Sequence, residues 1–115
     1  MIVIDPYLQT VLHSLTALAQ TDLTPKQADI LAKIGVNVEE LSGYWATINP
    51  HDDAAGVLHH DLSNAITPIV GYVTALGKGM AGPLDDTQWV QVRAMHEAIT
   101  ALRVEVRRLG DIAAT

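Results

Sequence analysis

The chain has 115 residues, of which 49% are hydrophobic but only 4% are aromatic, and it has no Phe and no Cys. This length fits one compact domain and leaves no room for a second catalytic domain. A formal net charge of -6 argues against nucleic acid and anionic lipid as partners. No apolar run reaches the roughly 20 residues that a membrane span needs, and the first residues lack the basic stretch of a signal peptide. We therefore expect a cytoplasmic protein with no membrane span.

Five positions have the pattern of a helix start, in which a capping side chain is followed by Pro or, three residues on, by Gln, Glu or Asp. These positions are Asp5, Thr24, Asn37, Asn49 and Asp85. The first predicted helix runs to about Gln20, the second is short and closed by Gly35, and the fourth is long and ends at Leu76. No segment alternates as a strand would, and no internal repeat is recognisable. The predicted fold class is all-α.

The last two predicted helices carry apolar residues at alternating steps of three and four, the pattern of helical bundles. The positions are Leu58, Leu62, Ile66, Ile69, Val73 and Leu76 in one helix, and Val92, Met95, Ile99, Leu102, Val106 and Leu109 in the other. The glycine-rich turn GKGMAGPL between them predicts an antiparallel helical hairpin over residues 49–115, preceded by an N-terminal helical segment over residues 1–48. One hairpin buries one seam, so two copies should form a four-helix bundle, which predicts a homodimer unless the N-terminal helices cover the seam instead.

The face opposite this apolar seam carries a histidine among small polar residues. At about 100° per residue, His60 lies nearly opposite the Leu58–Leu76 stripe, and Asn64, Thr67 and Gly71 lie within about 40° of His60. These four residues should form an exposed strip along the helix. A glycine inside a helix costs about 1 kcal/mol relative to Ala, and Pro68 removes a backbone donor and should bend the helix. Such features beside an exposed histidine indicate a functional site.

The segment HHDLSNAITPIVGY resembles the H-box of the dimerisation and histidine phosphoacceptor domain of bacterial sensor histidine kinases. The matching residues are His60, Asp61, Leu62, Asn64, Ile66, Thr67, Gly71 and Tyr72. The similarity continues through GMAGPLDDTQ and covers residues 56–109, about half of the chain. Two positions differ from the family pattern: Ser63 stands where Arg is common, and Ala65 stands where Pro is common, with Pro68 three residues later.

The resemblance implies that His60 carries phosphate in a two-component pathway. A neutral imidazole is nucleophilic near pH 7, which suits this role. Asp61 would be the general base by resemblance and by proximity, Asn64 would position a water for dephosphorylation, and Thr67 would extend this hydrogen-bonding strip. Asp61 and Asn64 are equally compatible with solvated positions on a helix surface.

No glycine-rich nucleotide-binding motif occurs, so the chain is not a self-sufficient kinase and whether it is an enzyme stays open. We expect no cofactor in this chain itself. ATP or Mg²⁺ would be brought only by a partner kinase or a response-regulator receiver domain. The compatible functions are histidine phosphotransfer, dephosphorylation of a receiver, and the central portion of a longer kinase. The alternative is a non-catalytic dimerisation and docking module that binds signalling partners through a degenerate H-box. The cluster of His51, Asp52, Asp53 and His59 lacks the spacing of a recognised metal site, so no metal is expected.

Overall fold

The computed structural model describes residues 4–46 and 55–114, and the side chains of residues 4–45 and 60–108. It has four helices, α1 (Asp5–Ala19), α2 (Pro25–Ala46), α3 (Ala55–Gly77) and α4 (Asp86–Ala114). These described ranges contain no strand, and the all-α prediction is confirmed. Within the same ranges, no helix combines the length and the apolar character that crossing a membrane requires.

The helix α2 is continuous where the sequence predicted two helices, so the predicted end at Gly35 and the predicted start at Asn37 are wrong. One glycine costs a helix only about 1 kcal/mol. A single buried stripe runs along both halves of α2 and outweighs that cost, and its members are Leu31, Ile34, Val38 and Leu41. The Asn37 side chain does not cap a helix but donates to the carbonyl oxygen of Lys33, 2.9 Å away.

The other predicted starts have different outcomes. The helix α1 begins as predicted, but its N-cap is Ile4, and Asp5 lies in the first turn with Pro6. The starts at Thr24 and Asp85 are confirmed as reciprocal capping boxes, described below. The start predicted at Asn49 lies outside the described residues, and α3 begins at Ala55. The helix α3 ends at Gly77 and is followed by Gly79 at φ 73°, while the amide of Met80 donates to the carbonyl of Ala75, as in a Schellman cap.

The four helices surround one hydrophobic core within a single chain. Each helix contacts two others, in the ring α1–α2–α3–α4. The buried core includes residues of all four helices, among them Leu8, Val11, Ile34, Leu41, Ile66, Ile69, Met95 and Leu102. The described bundle is elongated, with extents of 46 × 20 × 20 Å. The seam of α3 and α4 is therefore covered by α1 and α2, which is the arrangement that the sequence left open as the alternative to a second copy.

Two buried glutamines tie the α1–α2 turn to the α3–α4 turn. Gln27 accepts a hydrogen bond from the Thr24 amide and donates to the carbonyls of Gly82 and Pro83. Gln88 does the same from the other side: it accepts from the Asp85 amide and donates to the carbonyl of Asp22 and the hydroxyl of Thr21. Both turns therefore lie at the same end of the bundle, and consecutive helices run antiparallel.

This reciprocity reveals an approximate internal repeat that the sequence analysis missed. Counted from the capping glutamines, buried residues of α2 and α4 fall at equivalent positions: Leu31 and Val92, Ile34 and Met95, Val38 and Ile99, Leu41 and Leu102. Buried residues of α1 and α3 also correspond, with a separation that is three residues smaller because the α3–α4 turn is three residues longer: Ile4 and Leu62, Leu8 and Ile66, Val11 and Ile69, Leu18 and Leu76. The repeat lies in burial pattern and capping chemistry rather than in residue identity, and for this reason it was not recognised in the sequence.

The helices α1 and α2 bury the apolar seam that a second copy was expected to bury, so the hydrophobic core no longer requires a dimer. We expect light scattering after size exclusion, at micromolar concentrations, to give the chain mass of 12.4 kDa. A mass of twice this value at the same concentrations would restore the homodimer predicted from the sequence.

Candidate functional site on the outer face of α3

The structure places the predicted strip on the outer face of α3. We call it the α3 strip: His60, Asn64, Thr67 and Gly71, all of which are exposed. The opposite face of the helix is in the core, with Leu62, Ile66, Ile69, Val73 and Leu76 each 2% exposed or less. The predicted orientation of His60 is therefore confirmed. A Cβ added at Gly71 would meet nothing within 4 Å, so no contact with the residues that the structure describes requires a glycine there.

The α3 helix continues through Pro68, three residues after the buried Ala65. The hydroxyl of Thr67 donates to the carbonyl of Ser63 at 2.9 Å and adds a side-chain bond one turn before the proline. Ala65 stands where the kinase family often has proline, and its side chain is 4% exposed. This departure from the family pattern therefore lies on the core side, while the α3 strip remains accessible.

His60 and Asn64 contact each other across one helical turn. The Asn64 Nδ2 atom lies 3.3 Å from the His60 Nε2 atom. An amide NH₂ group can only donate, so a hydrogen bond here requires the tautomer in which Nε2 accepts and the ring proton is on Nδ1. The contact therefore places the Asn64 amide group beside the Nε2 atom of His60. Since His60 is exposed, this nitrogen can also be approached from solvent.

Asp61 is half-buried and lies about 100° around the helix from His60, so it flanks the α3 strip rather than being part of it. Its position next to His60 in the chain leaves the general-base role a prediction. The structure thus brings His60 together with Asn64, aligns Thr67 with them along the same face, and sets Asp61 at the side.

A groove beside the α3 strip was missed in the sequence. Its volume is about 180 Å³, and it lies between α3 and α4, lined by Ser63, Ile66, Thr67, Arg103, Val106 and Arg107. The signal that could have found it is the arginine concentration on α4, where Arg103 and Arg107 are one turn apart. Their alignment with Ser63 and Thr67 depends on the packing of two helices, which the sequence pattern did not specify.

A second groove of about 230 Å³ lies towards the other end of the same two helices. It is lined by residues that include Gly77, Trp89, Val92 and His96. Trp89 is 46% exposed there, and the edge of its ring would lie 3.5 Å from a Cβ added at Gly77. This groove is several turns from His60 and does not belong to the α3 strip.

No metal centre is found among the residues that the structure describes: no group of three or more His, Asp or Glu side chains there could hold an ion. His51, Asp52 and Asp53 lie outside the described residues, as does the side chain of His59. The sequence interpretation of that cluster therefore stays a prediction.

Comparison with known proteins gave no matching family model, no matching curated protein and no matching solved structure. The resemblance to the histidine kinase phosphoacceptor domain therefore rests on the motif residues of this chain.

Replacing Asn64 by Ala should change the tautomer of His60 because it removes the donor that faces Nε2. We expect ¹⁵N NMR above the titration range of histidine to find the His60 proton on Nδ1 in the wild-type chain, and to find this preference weakened in Asn64→Ala. The tautomer of His96 on α4 should be the same in both proteins and serves as the control. An unchanged His60 spectrum would contradict the contact.

Proposed function

We propose that this chain is a histidine phosphotransfer module of a two-component pathway, with His60 as the phosphoacceptor. The observation that carries the proposal is the exposed His60 imidazole on the outer face of a helical bundle, with the Asn64 Nδ2 atom 3.3 Å from its Nε2 atom, a contact that fits the tautomer with the electron pair on Nε2. A phosphoacceptor needs this combination, because the reacting nitrogen must be unprotonated and accessible to a second protein.

The partner that fits this chemistry is a response-regulator receiver domain, which would bring its own Mg²⁺. In the forward step the Nε2 electron pair of His60 attacks the phosphorus of the receiver's aspartyl phosphate. The phosphorus–oxygen bond to the aspartate breaks, the carboxylate leaves with the electron pair, and the Nδ1 proton passes to solvent or to the Asp61 carboxylate. The reverse step returns the phosphoryl group to the receiver. A partner histidine kinase with ATP would supply phosphate by the same attack on the γ-phosphorus of ATP, in which the bond to the bridging oxygen breaks and ADP leaves.

Asn64 and Thr67 would serve dephosphorylation. They project from the same face as His60, and their amide and hydroxyl groups can each hold a water molecule by hydrogen bonds. Dephosphorylation requires that such a water attacks the phosphoryl group in place of His60. Both activities belong to one surface and one partner.

The proposal is tested by incubating the chain with a phosphorylated receiver domain, or with a donor kinase and ATP. We expect an acid-labile phosphoprotein, because the phosphorus–nitrogen bond of phosphohistidine is cleaved in acid. No labelling with any receiver or kinase of the same organism would overturn the proposal.

A second candidate is a non-catalytic docking module. It is favoured by small residues along the same helix as His60, since Ser63 lines a groove and Gly71, about three turns after His60, leaves open space. In that case a partner would bind the α3 strip without phosphate transfer. This candidate is rejected if His60→Gln abolishes the biological output while the affinity for the partner is unchanged.

A further inference from the structure

We propose that the groove lined by Ser63, Thr67, Arg103 and Arg107 binds the oxygens of the phosphoryl group that is transferred at His60. The inference rests on the proposed function and adds to it a binding site for the transferred group. The groove would bind a tetrahedral phosphoryl oxyanion, and the same chemistry applies to a phosphoryl group on a donor and to free phosphate in solution.

The chemistry of the groove suits such an anion. Two arginines of α4 and two hydroxyl-bearing residues of α3 line the same space of about 180 Å³. Guanidinium groups form paired, charge-assisted hydrogen bonds to phosphate oxygens, and the Ser63 hydroxyl can donate another, whereas the Thr67 hydroxyl already donates to the carbonyl of Ser63. Isoleucine and valine side chains, Ile66 and Val106, complete the lining. The groove can therefore take a small anion without a metal ion.

The position of the groove connects it to His60. Ser63 lies one turn after His60, about 4.5 Å along the helix axis and about 60° around it. Thr67 is itself part of the α3 strip. An anion held between α3 and α4 at this level therefore lies beside the strip that presents His60, rather than at the distant groove near Trp89.

The local charge distribution is unusual for this protein. The chain has a formal net charge of -6, yet Arg103 and Arg107 are placed one turn apart on the same helix face, where like charges repel by roughly 0.2–0.5 kcal/mol. Three of the four other cations of the described helices are paired with carboxylates: Lys33 with Asp29 at 3.1 Å, Arg93 with Glu97 at 3.4 Å and Arg108 with Glu105 at 2.9 Å. The hydrogen bond to Asp29 raises the pKa of Lys33 above its ordinary value.

The internal repeat provides a comparison within the same molecule. Counted from the capping glutamines, Ser42 and Ala46 of α2 correspond to Arg103 and Arg107 of α4. In α1, the positions that correspond to Ser63 and Thr67 hold Asp5 and Gln9. The other helix pair thus folds without arginines at these positions, so bundle packing does not require them. The cationic groove occurs in the helix pair that carries the histidine.

Two measurements test the proposal. The first is an NMR titration of the whole chain with inorganic phosphate. We expect saturable shifts at Ser63, Thr67, Arg103 and Arg107, and at least a tenfold loss of affinity, about 1.4 kcal/mol or more, in Arg103→Gln/Arg107→Gln. The matched control is Arg93→Gln/Arg108→Gln, which removes the same charge from the same helix but from paired arginines, and it should bind phosphate as the wild type does.

The second measurement is the labelling rate of His60 by phosphoramidate. In this reaction Nε2 attacks the phosphorus, the phosphorus–nitrogen bond of the donor breaks, ammonia leaves and the Nδ1 proton passes to solvent. We expect the groove variant to be labelled about tenfold more slowly than the wild type, and the control variant at the wild-type rate.

The two results separate this inference from the proposed function. Three outcomes would overturn the groove proposal while His60 could still be the acceptor. They are no phosphate binding, an equal loss of phosphate affinity in both double variants, and binding as an adventitious ion only, in which the groove variant is labelled at the wild-type rate. Conversely, His60→Gln should bind phosphate as the wild type does. If no donor labels His60 but the groove still binds phosphate, the proposed function fails and the role of the groove in transfer fails with it, while the anion site itself stands.

Discussion

His60→Gln is expected to abolish acid-labile phosphorylation of this chain by a receiver domain, a partner kinase or a small phosphodonor. Glutamine can keep part of the polar character of the position and its place on the helix surface, but its amide nitrogen has no electron pair free to attack phosphorus. Because the side chain is exposed, the change should leave the free energy of unfolding within about 0.5 kcal/mol of the wild-type value.

The matched control for this experiment is His96→Gln. His96 is also an exposed histidine on a helix, but it lies on α4 near Trp89 and away from the α3 strip. His96→Gln should be labelled at the wild-type rate by the same donors. Equal labelling of the His60→Gln and His96→Gln proteins would mean that His60 is not the acceptor.

Gln27→Met is expected to lower the free energy of unfolding by about 2–4 kcal/mol, since each buried polar group left without a partner costs about 1–3 kcal/mol. Methionine has nearly the volume of glutamine, so the change isolates the hydrogen bonds. The Gln27 side chain is 1% exposed in relative terms and bonds to the Thr24 amide at 2.9 Å and to the carbonyls of Gly82 and Pro83 at 3.2 and 3.1 Å. All three backbone groups lose a partner in the variant.

Urea denaturation of the variant and of Gln9→Met tests this prediction. Gln9 is exposed on α1, so its replacement should change the free energy of unfolding by no more than about 0.5 kcal/mol. The internal repeat adds a second expectation: Gln88→Met should be destabilised as Gln27→Met is, because Gln88 makes the corresponding bonds at the other turn. Similar stabilities for the Gln9 and Gln27 variants would show that the two turns are not joined in this way.

The parts of the fold that depend on local chemistry could be predicted from the sequence. Capping residues bond to amides three positions away, so the pairs Thr24–Gln27 and Asp85–Gln88 were recognisable from spacing alone, and both are present. The orientation of His60 could be predicted for the same reason, because helical periodicity relates it directly to Leu62 and Ile66 on the opposite face.

The parts that depend on contacts between distant segments could not be predicted in this way. Gly35 and Asn37 have the sequence pattern of one helix end followed by another helix start. Only the burial of Ile34 and Val38 in the core explains why α2 continues through them. The groove between Ser63 and Arg107 likewise depends on the register of α3 against α4. The closure of the bundle by α1 and α2 was left open for the same reason, since apolar stripes show which faces are buried but not which helix covers each.

The central claim, that His60 carries the phosphate, is tested most directly by locating the phosphoryl group after transfer from a phosphorylated receiver domain. The chain has five histidines, so labelling of the chain as a whole does not identify the acceptor. Mass spectrometry under neutral conditions that preserve phosphohistidine should find one phosphate per chain, on the peptide that contains His60, with fragment ions that exclude His59. Phosphate on any other histidine, or no phosphate on His60 at any time while the receiver loses its label, would contradict the claim that His60 carries the phosphate.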